Sequence, residues 1–266
     1  MTWHRPQVVD NPITPESAGW TYAGLAVYRL QPGSTFDVVL DRDECAIVPL
    51  TGSVRVSANG ETFHLKGRGD IFAGPTDFCY LPPGPRATID SSQGGEVAIC
   101  TARAERGGSS AHYPAEAVVS ESRGAGQGTR QVSHLLGADV LGPERLMVVE
   151  VITPDGNWSS YPPHKHDEAT ESECPLEEIY YFRFHRRGAF GFHRTYTADG
   201  EIDETVAVRD GDAFLVPRGY HGPSAAAPGY PMYYLNVMAG PGPRAWQVST
   251  DPEHSWLWEF WRSGST

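Results

Sequence analysis

No stretch of this 266-residue chain is apolar for the roughly 20 residues that a membrane-spanning helix needs. The opening residues, MTWHRPQVVDNPITPESAGW, carry no apolar core behind basic residues, so no leader peptide is read and a cytoplasmic setting is expected. Cysteine is scarce. The four thiols (Cys45, Cys79, Cys100 and Cys174) form no CxxC pair, which argues against a zinc ribbon or a disulfide frame and for reduced, buried or half-buried side chains. Basic residues are in deficit, 21 Lys and Arg against 33 Asp and Glu, for a net charge of −12. With no basic stripe to neutralise phosphates, neither nucleic acid nor an anionic membrane is an expected partner, whereas a small substrate held by a few local arginines remains open. Helical periodicity is the last thing missing.

What is present is a turn-dense, aromatic-rich sequence, with 29 Gly and 22 Pro beside 7 Trp, 12 Tyr and 10 Phe. The aromatic area can offset the entropy of ordering such a chain, so the composition points to a folded β protein and not to disorder. Short apolar or alternating segments recur between Gly, Pro, Asp and Ser: GSVRVSA, EVAICTA, RLMVVEVIT, EEIYYFRF, AFGFHRTYT and MYYLNVMAG. Strands of this length with turns between them predict an all-β barrel or sandwich.

The two halves share an order. Glu44 opens ECAIVPLTGSVRV, followed by Gly69–Asp70, a proline turn and GEVAICTA; Glu178 opens EIYYFRF, followed by Gly211–Asp212, VPRGYH and MYYLNVMAG. The repeat predicts two β-barrel modules of one design, residues 1–119 and 131–266. The stretch between them, 120–130, contains SESRGAGQGT and reads by composition as a flexible linker.

His164 and His166, in YPPHKHDE, are the first candidates for chemistry. Residues i and i+2 of a strand share a face, so both imidazoles can reach one point inside a barrel. In a helix they would diverge by roughly 200°. The following strand begins at Glu178, and His221 comes after the Gly211–Asp212 turn. The order HxH, Glu, glycine turn, His resembles that of the metal-binding cupin barrels. That resemblance implies a jelly-roll module in which His164, His166, Glu178 and His221 hold one divalent transition metal (Zn, Mn, Fe, Co or Ni), with coordination positions left open. Glu177 faces away if Glu178 faces inward, Glu171 and Glu173 fall in a polar loop expected to be solvated, and Glu171 is the second choice as ligand. The first module has PGSTFDVVL in place of the HxH and Arg86 in place of His221, and is expected to be metal-free.

Longer motifs carry a more specific resemblance. GNWSSYPPHKHDE, LEEIYYFR, VPRGYH, PGYPMYYLNVMAGP and DPEHSW together closely resemble the 5-deoxy-glucuronate isomerase family of inositol catabolism, bicupins related to the 5-keto-4-deoxyuronate isomerases. The resemblance spans Glu16 to Trp256 and is strongest from Gly156 onward; His193 and Gly222 stand where glutamine and proline are expected. It implies an aldose–ketose isomerisation of 5-deoxy-D-glucuronate to 5-dehydro-2-deoxy-D-gluconate, with a sister uronate isomerisation and a metal-dependent dioxygenase as the alternatives. Metal-assisted enediolate chemistry fits such a site, with no organic cofactor. Tyr180 shares the Glu178 face, Tyr196 that of Arg194, and Tyr234 that of Asn236. Tyr180, Arg183, Tyr196, Arg218 and Tyr234 are therefore the candidate substrate-lining residues, an arginine being wanted for the sugar-acid carboxylate. Asp251 and His254 would close the site or cap a short helix. A homo-oligomer, with a dimer favoured, is expected from the sheet edges such proteins expose.

Overall fold

The computed structural model describes residues 3–84 and 86–263. It is all-β, as the punctuation of short apolar segments predicts, with two helices of four and seven residues. Strands of the first half form one curled sheet running Ala23–Leu30, Gly95–Arg103, Asp43–Ala58, Phe78–Leu81, Ala111–Tyr113. The 16-residue strand Asp43–Ala58 continues past this path, and its far end pairs with Glu61–Arg68 and Ala87–Ser91. One strand thus serves both walls of the first barrel.

The second half builds two facing sheets. One runs His4–Arg5, Ala213–Leu215, Glu177–Arg183, Met232–Ala239, Met147–Thr153, Arg130–Leu136, Val119–Arg123. Its partner runs Asp203–Arg209, Phe190–Tyr196, Tyr220–Ala226, His164–Lys165, Ser249–Thr250, with Trp158–Ser159 also paired to Tyr220–Ala226. Alternation along Glu177–Arg183 decides what each face does. Tyr180 and Phe182 point into the barrel with Val149, Phe214 and Tyr234. Ile179 and Tyr181 point outward into a core shared with Leu25, Ala46, Val48 and Tyr80 of the first half. Both faces are covered, which is why this strand reads as a continuous apolar run and not as an alternation.

Two expectations about the chain's division need correction. Residues 120–130 are no loose linker. Val119–Arg123 pairs with Arg130–Leu136 as a hairpin, closed by a tight turn at Gly126–Gly128. Its glycines are there because the turn packs on itself: a Cβ on Gly124 would stand 2.1 Å from the Gly128 carbonyl oxygen, and one on Gly128 would stand 2.6 Å from the Trp261 ring. The division at 119 is also crossed from the other end. His4–Arg5 pairs with Ala213–Leu215, and the chain then bridges to Val27 and Leu25 of the first barrel.

The repeat itself is offset by one residue from the register read in the sequence. Glu177 accepts N–H bonds from Thr21, Tyr22 and Ala23, all at 2.8 Å. Glu44 accepts them from Glu144, Arg145 and Leu146 at 2.8, 2.6 and 2.7 Å. Each carboxylate reaches out of its own barrel to hold the backbone of the other half at the entry to a strand, Ala23–Leu30 for Glu177 and Met147–Thr153 for Glu44. Glu44 therefore corresponds to Glu177, and Glu178 corresponds to Cys45.

Candidate active site

The YPPHKHDE segment enters the second barrel between its two sheets. His164 is directly opposite His221 in the strand register, and their ring centroids lie 4.4 Å apart. His166 follows on the same side, 4.9 Å from His221 by centroid. Glu178 comes from the facing sheet and joins them. Its Oε2 lies 2.8 Å from His166 Nε2 and 3.1 Å from His221 Nε2. Donor atoms of His166, Glu178 and His221 all fall within 4.8 Å of one another, and all three residues are buried.

The local backbone has reasons to hold this shape. Gly222 has φ of +99°, and a Cβ there would meet the Ser160 carbonyl oxygen at 1.8 Å. The loop before His164 thus lies directly on the strand of His221, and the proline expected at 222 could not adopt that φ. Asp251 N–H donates to the Pro163 carbonyl at 2.9 Å, tying the loop to the C-terminal segment. Glu173, expected to be solvated, is buried instead; its carboxylate accepts from Asp167 N–H, Glu168 N–H and Lys165 Nζ and so folds the 167–173 loop. Glu171 stays exposed, and Glu177 serves the other barrel. Of these four glutamates, Glu178 alone meets the histidines.

Electrostatics follow from burial and proximity. Burial alone would raise the Glu178 carboxyl, but the imidazoles of His221 and His166 overcome it and hold it well below the usual carboxylate range. Burial pushes His164 and His221 down, so both rings are neutral near pH 7. For His166 the lowering by burial is outweighed by the hydrogen bond to Glu178 and its charge, and the net shift is upward.

These residues suit a divalent cation. His164 Nδ1 lies 3.1 Å from the Pro162 carbonyl and His166 Nδ1 3.0 Å from that of Leu176. With the proton on Nδ1, each Nε2 would be available to a cation, for His166 in place of its present hydrogen bond to Glu178, and this is the arrangement common to metal-bound imidazoles. His221 is fully buried, yet its Nδ1 has no hydrogen-bond partner and its Nε2 meets only the Glu178 carboxylate, at 3.1 Å. A buried ring nitrogen left without a partner costs about 1–3 kcal/mol and calls for an explanation such as a ligand that rearranges the ring's contacts.

The remaining candidates divide. Tyr180 and Tyr234 line the same cavity as His164 and Glu178, and both hydroxyls meet Ser160 Oγ, at 2.8 and 3.3 Å. Burial, first of all, raises the Tyr180 phenol, so it remains a donor. Arg183 is not in this cavity. It lies one residue out of phase with Tyr180 and Phe182, on the face turned to the first barrel, where it pairs with Glu96 and with Asp210. Tyr196 points to the outer face of its strand, against Arg194 and bonded to Asp251. Arg218 is an exposed turn residue paired with Asp199 and Glu201. His193 is buried behind Tyr180, with Nδ1 2.7 Å from Ser224 Oγ, and is pushed down to about 3 by burial and then by His221. His254 lies against Tyr161, with ring centroids 6.0 Å apart.

Sequence reasoning missed Arg130, Asn236 as a lining group, and the tryptophans Trp246 and Trp258. Arg130, Val132 and His134 alternate along one strand and line the cavity together. The alternation was visible, but the preceding glycines had assigned the segment to a linker. Trp246 and Trp258, both exposed, also line the cavity, with Trp258 Nε1 donating to Thr250 Oγ1 at 3.1 Å.

With this geometry in view, likeness to known proteins is decisive. Residues 4–257 match the model of the KduI/IolB family. The chain belongs to the KduI/IolB family. Its curated relatives include the 5-deoxy-glucuronate isomerase of Geobacillus kaustophilus, 41% identical over 96% of this chain and 94% of that protein. That of Listeria monocytogenes is 39% identical over 90% and 88%. The crystal structure of an IolB-like protein from Salmonella typhimurium superimposes with a TM-score of 0.92 at 35% identity, covering 97% of this chain and 99% of that one. The KduI/IolB chain is thus an enzyme of the isomerase class. A Lactobacillus farciminis oxalate decarboxylase matches at a TM-score of 0.64 with 11% identity, over 90% of this chain and 82% of that one, which shows the shared cupin-like β fold alone.

Proposed function

We propose that this KduI/IolB protein isomerises 5-deoxy-D-glucuronate to 5-dehydro-2-deoxy-D-gluconate in inositol catabolism, using one divalent transition metal held by His164, His166, Glu178 and His221. The observation that carries the metal is the convergence of His166 and His221 on one oxygen of Glu178 in a buried pocket, with the His221 nitrogens otherwise unpartnered. The curated relatives, 38–41% identical, carry the substrate.

The reaction moves the carbonyl from C1 to C2, so a proton must leave C2 and one must arrive at C1. A bound divalent cation would supply Lewis-acid stabilisation of the enediolate charge. The protein's part is positioning. The Pro162 and Leu176 carbonyls fix the imidazole orientations, and Glu178 offsets the cation's charge. Tyr180 and Tyr234, joined through Ser160 Oγ, set hydroxyl donors along one wall. Val132, Val149, Val151, Trp246 and Trp258 give the pocket an apolar share of its wall. The protein is read as a cytoplasmic homo-oligomer, a dimer by preference. Among the described residues no helix is long and apolar enough to cross a membrane.

The test is anaerobic incubation of the purified protein with 5-deoxy-D-glucuronate in D2O. The keto acid should form without oxygen and carry solvent deuterium at the new hydroxymethyl carbon. Absence of the keto acid with a metal-loaded protein would overturn the substrate, and oxygen-dependent turnover would point to dioxygenase chemistry.

A further inference from the structure

The cavity that holds His164 and Glu178 contains a cation that the metal chemistry does not use. Arg130 is 6% exposed, on the strand that follows the hairpin turn. Among the described residues only its Nη1 has a hydrogen-bond partner, the Gly128 carbonyl at 3.1 Å, and the side chain lines the cavity. No carboxylate pairs with it among the described residues. Its neighbour Arg123 lines the same cavity but is already paired with Glu121, which also takes His134. A buried guanidinium without an anion is costly to a fold, so the site is incomplete as the protein supplies it.

A second, independent observation points the same way. Asn236 is 3% exposed and faces the same cavity, and its Nδ2 has no acceptor. Apart from the Gly128 carbonyl on Arg130 Nη1, Arg130 and Asn236 bring donors to this cavity without protein acceptors among the described residues. The missing component is therefore an acceptor-rich anion small enough to sit between them and the histidines. The turn that carries Arg130 is built for it: a Cβ on Gly124 would come within 2.8 Å of Arg130 Nη1 and 2.1 Å of the Gly128 carbonyl, so glycine at 124 lets the backbone close beneath the guanidinium.

We infer that Arg130 is the carboxylate anchor of this active site, holding the acid end of a sugar-acid substrate by a charge-assisted fork while Asn236 donates to a hydroxyl or carboxylate oxygen. The inference rests on the isomerase reading for the identity of the acid, but not for the existence of an anion site. It assigns specificity to a residue of the second half's first hairpin, outside the histidine-bearing loop. Arg183 and Arg218 are committed to Glu96, Asp210, Asp199 and Glu201 and are not free for this role.

The experiment compares wild type with Arg130→Gln and Arg130→Lys, as full-length metal-loaded proteins. Loss of a charge-assisted fork should raise KM for 5-deoxy-D-glucuronate about 10- to 100-fold in Arg130→Gln, with metal content unchanged. Arg130→Lys, which keeps the charge but not the fork, should fall between. Calorimetric binding of D-gluconate against D-sorbitol separates the two claims. Wild type should prefer the acid, and Arg130→Gln should lose that preference while still binding sorbitol as wild type does. Should wild type prefer gluconate but fail to isomerise 5-deoxy-D-glucuronate, the anchor stands and the substrate reading falls. A preference retained in a folded Arg130→Gln protein, an equal loss for acid and polyol, or no preference in wild type would each overturn the anchor.

Discussion

One architecture is used twice in this chain, and only the second copy sets a cluster of buried polar groups among its apolar filling. The first barrel is filled with Leu40, Ile47, Val56, Leu65, Ile89 and Ile99, and with the thiols of Cys45 and Cys79. The second keeps a row of polar groups where aliphatics would fit: His166, Glu178, His193, His221 and Asn236, all under 4% exposed. At corresponding positions next to the paired clamps Glu44 and Glu177 stand Cys45 and Glu178. A filled barrel gains packing and transfer energy. The polar one forgoes it, and only a ligand that satisfies its donors accounts for that loss. Under the function proposed above, stability and chemistry are divided between copies.

The largest predicted effect separates the copies at their matched positions. Glu178→Ala should abolish metal retention and lower turnover by more than the roughly 100-fold that outer partners of a metal site command. Cys45→Ala, its counterpart, should leave metal content and turnover unchanged. Equal losses from both, in inductively coupled plasma analysis and a coupled activity assay, would break the division of labour.

The clamps sharpen the comparison from the other side, because Glu44 and Glu177 play the same part. Each accepts three backbone N–H bonds from the opposite half. Glu44→Gln and Glu177→Gln should each lower stability by about 2 kcal/mol in urea titrations, with metal content preserved. A Glu177→Gln protein that loses metal while Glu44→Gln does not would show that the one-residue offset between repeats is misassigned.

A smaller effect concerns acid. His164, His193 and His221 are held neutral by burial, so each binds a proton more readily in the unfolded chain, and stability falls as pH drops below about 6.5. His166 is shifted the other way and opposes this. For His193, held to about 3, the loss at pH 5 is about 2 kcal/mol. The melting temperature of chelator-treated protein should therefore fall between pH 7 and 5, and His193→Gln should flatten the slope. The smallest effect is that of Arg218→Ala. Its ion pairs are exposed, so neither the urea midpoint nor KM should move measurably.

Much of this was legible in the sequence because period-2 alternation is a local rule. It set His164 beside His166, put Tyr180 on the face of Glu178, and excluded Glu177 as a partner of the histidines. Applied one residue further, it would also have excluded Arg183. Composition misled where glycine was read as flexibility: Gly124 and Gly128 are required by close backbone and tryptophan contacts that only the folded hairpin creates. That same reading hid Arg130. The repeat was visible in its order of glutamate, strand and turn, but its register depended on which glutamate reaches the other barrel, a long-range fact. Arg218 stood near the histidines in sequence and was free there to suggest a substrate contact; only tertiary structure gives it Asp199 and Glu201.

The most direct test of the polar barrel as a metal-dependent isomerase is turnover of 5-deoxy-D-glucuronate by one protein preparation in three states: as purified, stripped by chelator, and reloaded with single divalent metals. Activity lost on stripping and restored by one equivalent per chain of a transition metal is the predicted result. Undiminished turnover by the stripped protein would contradict it.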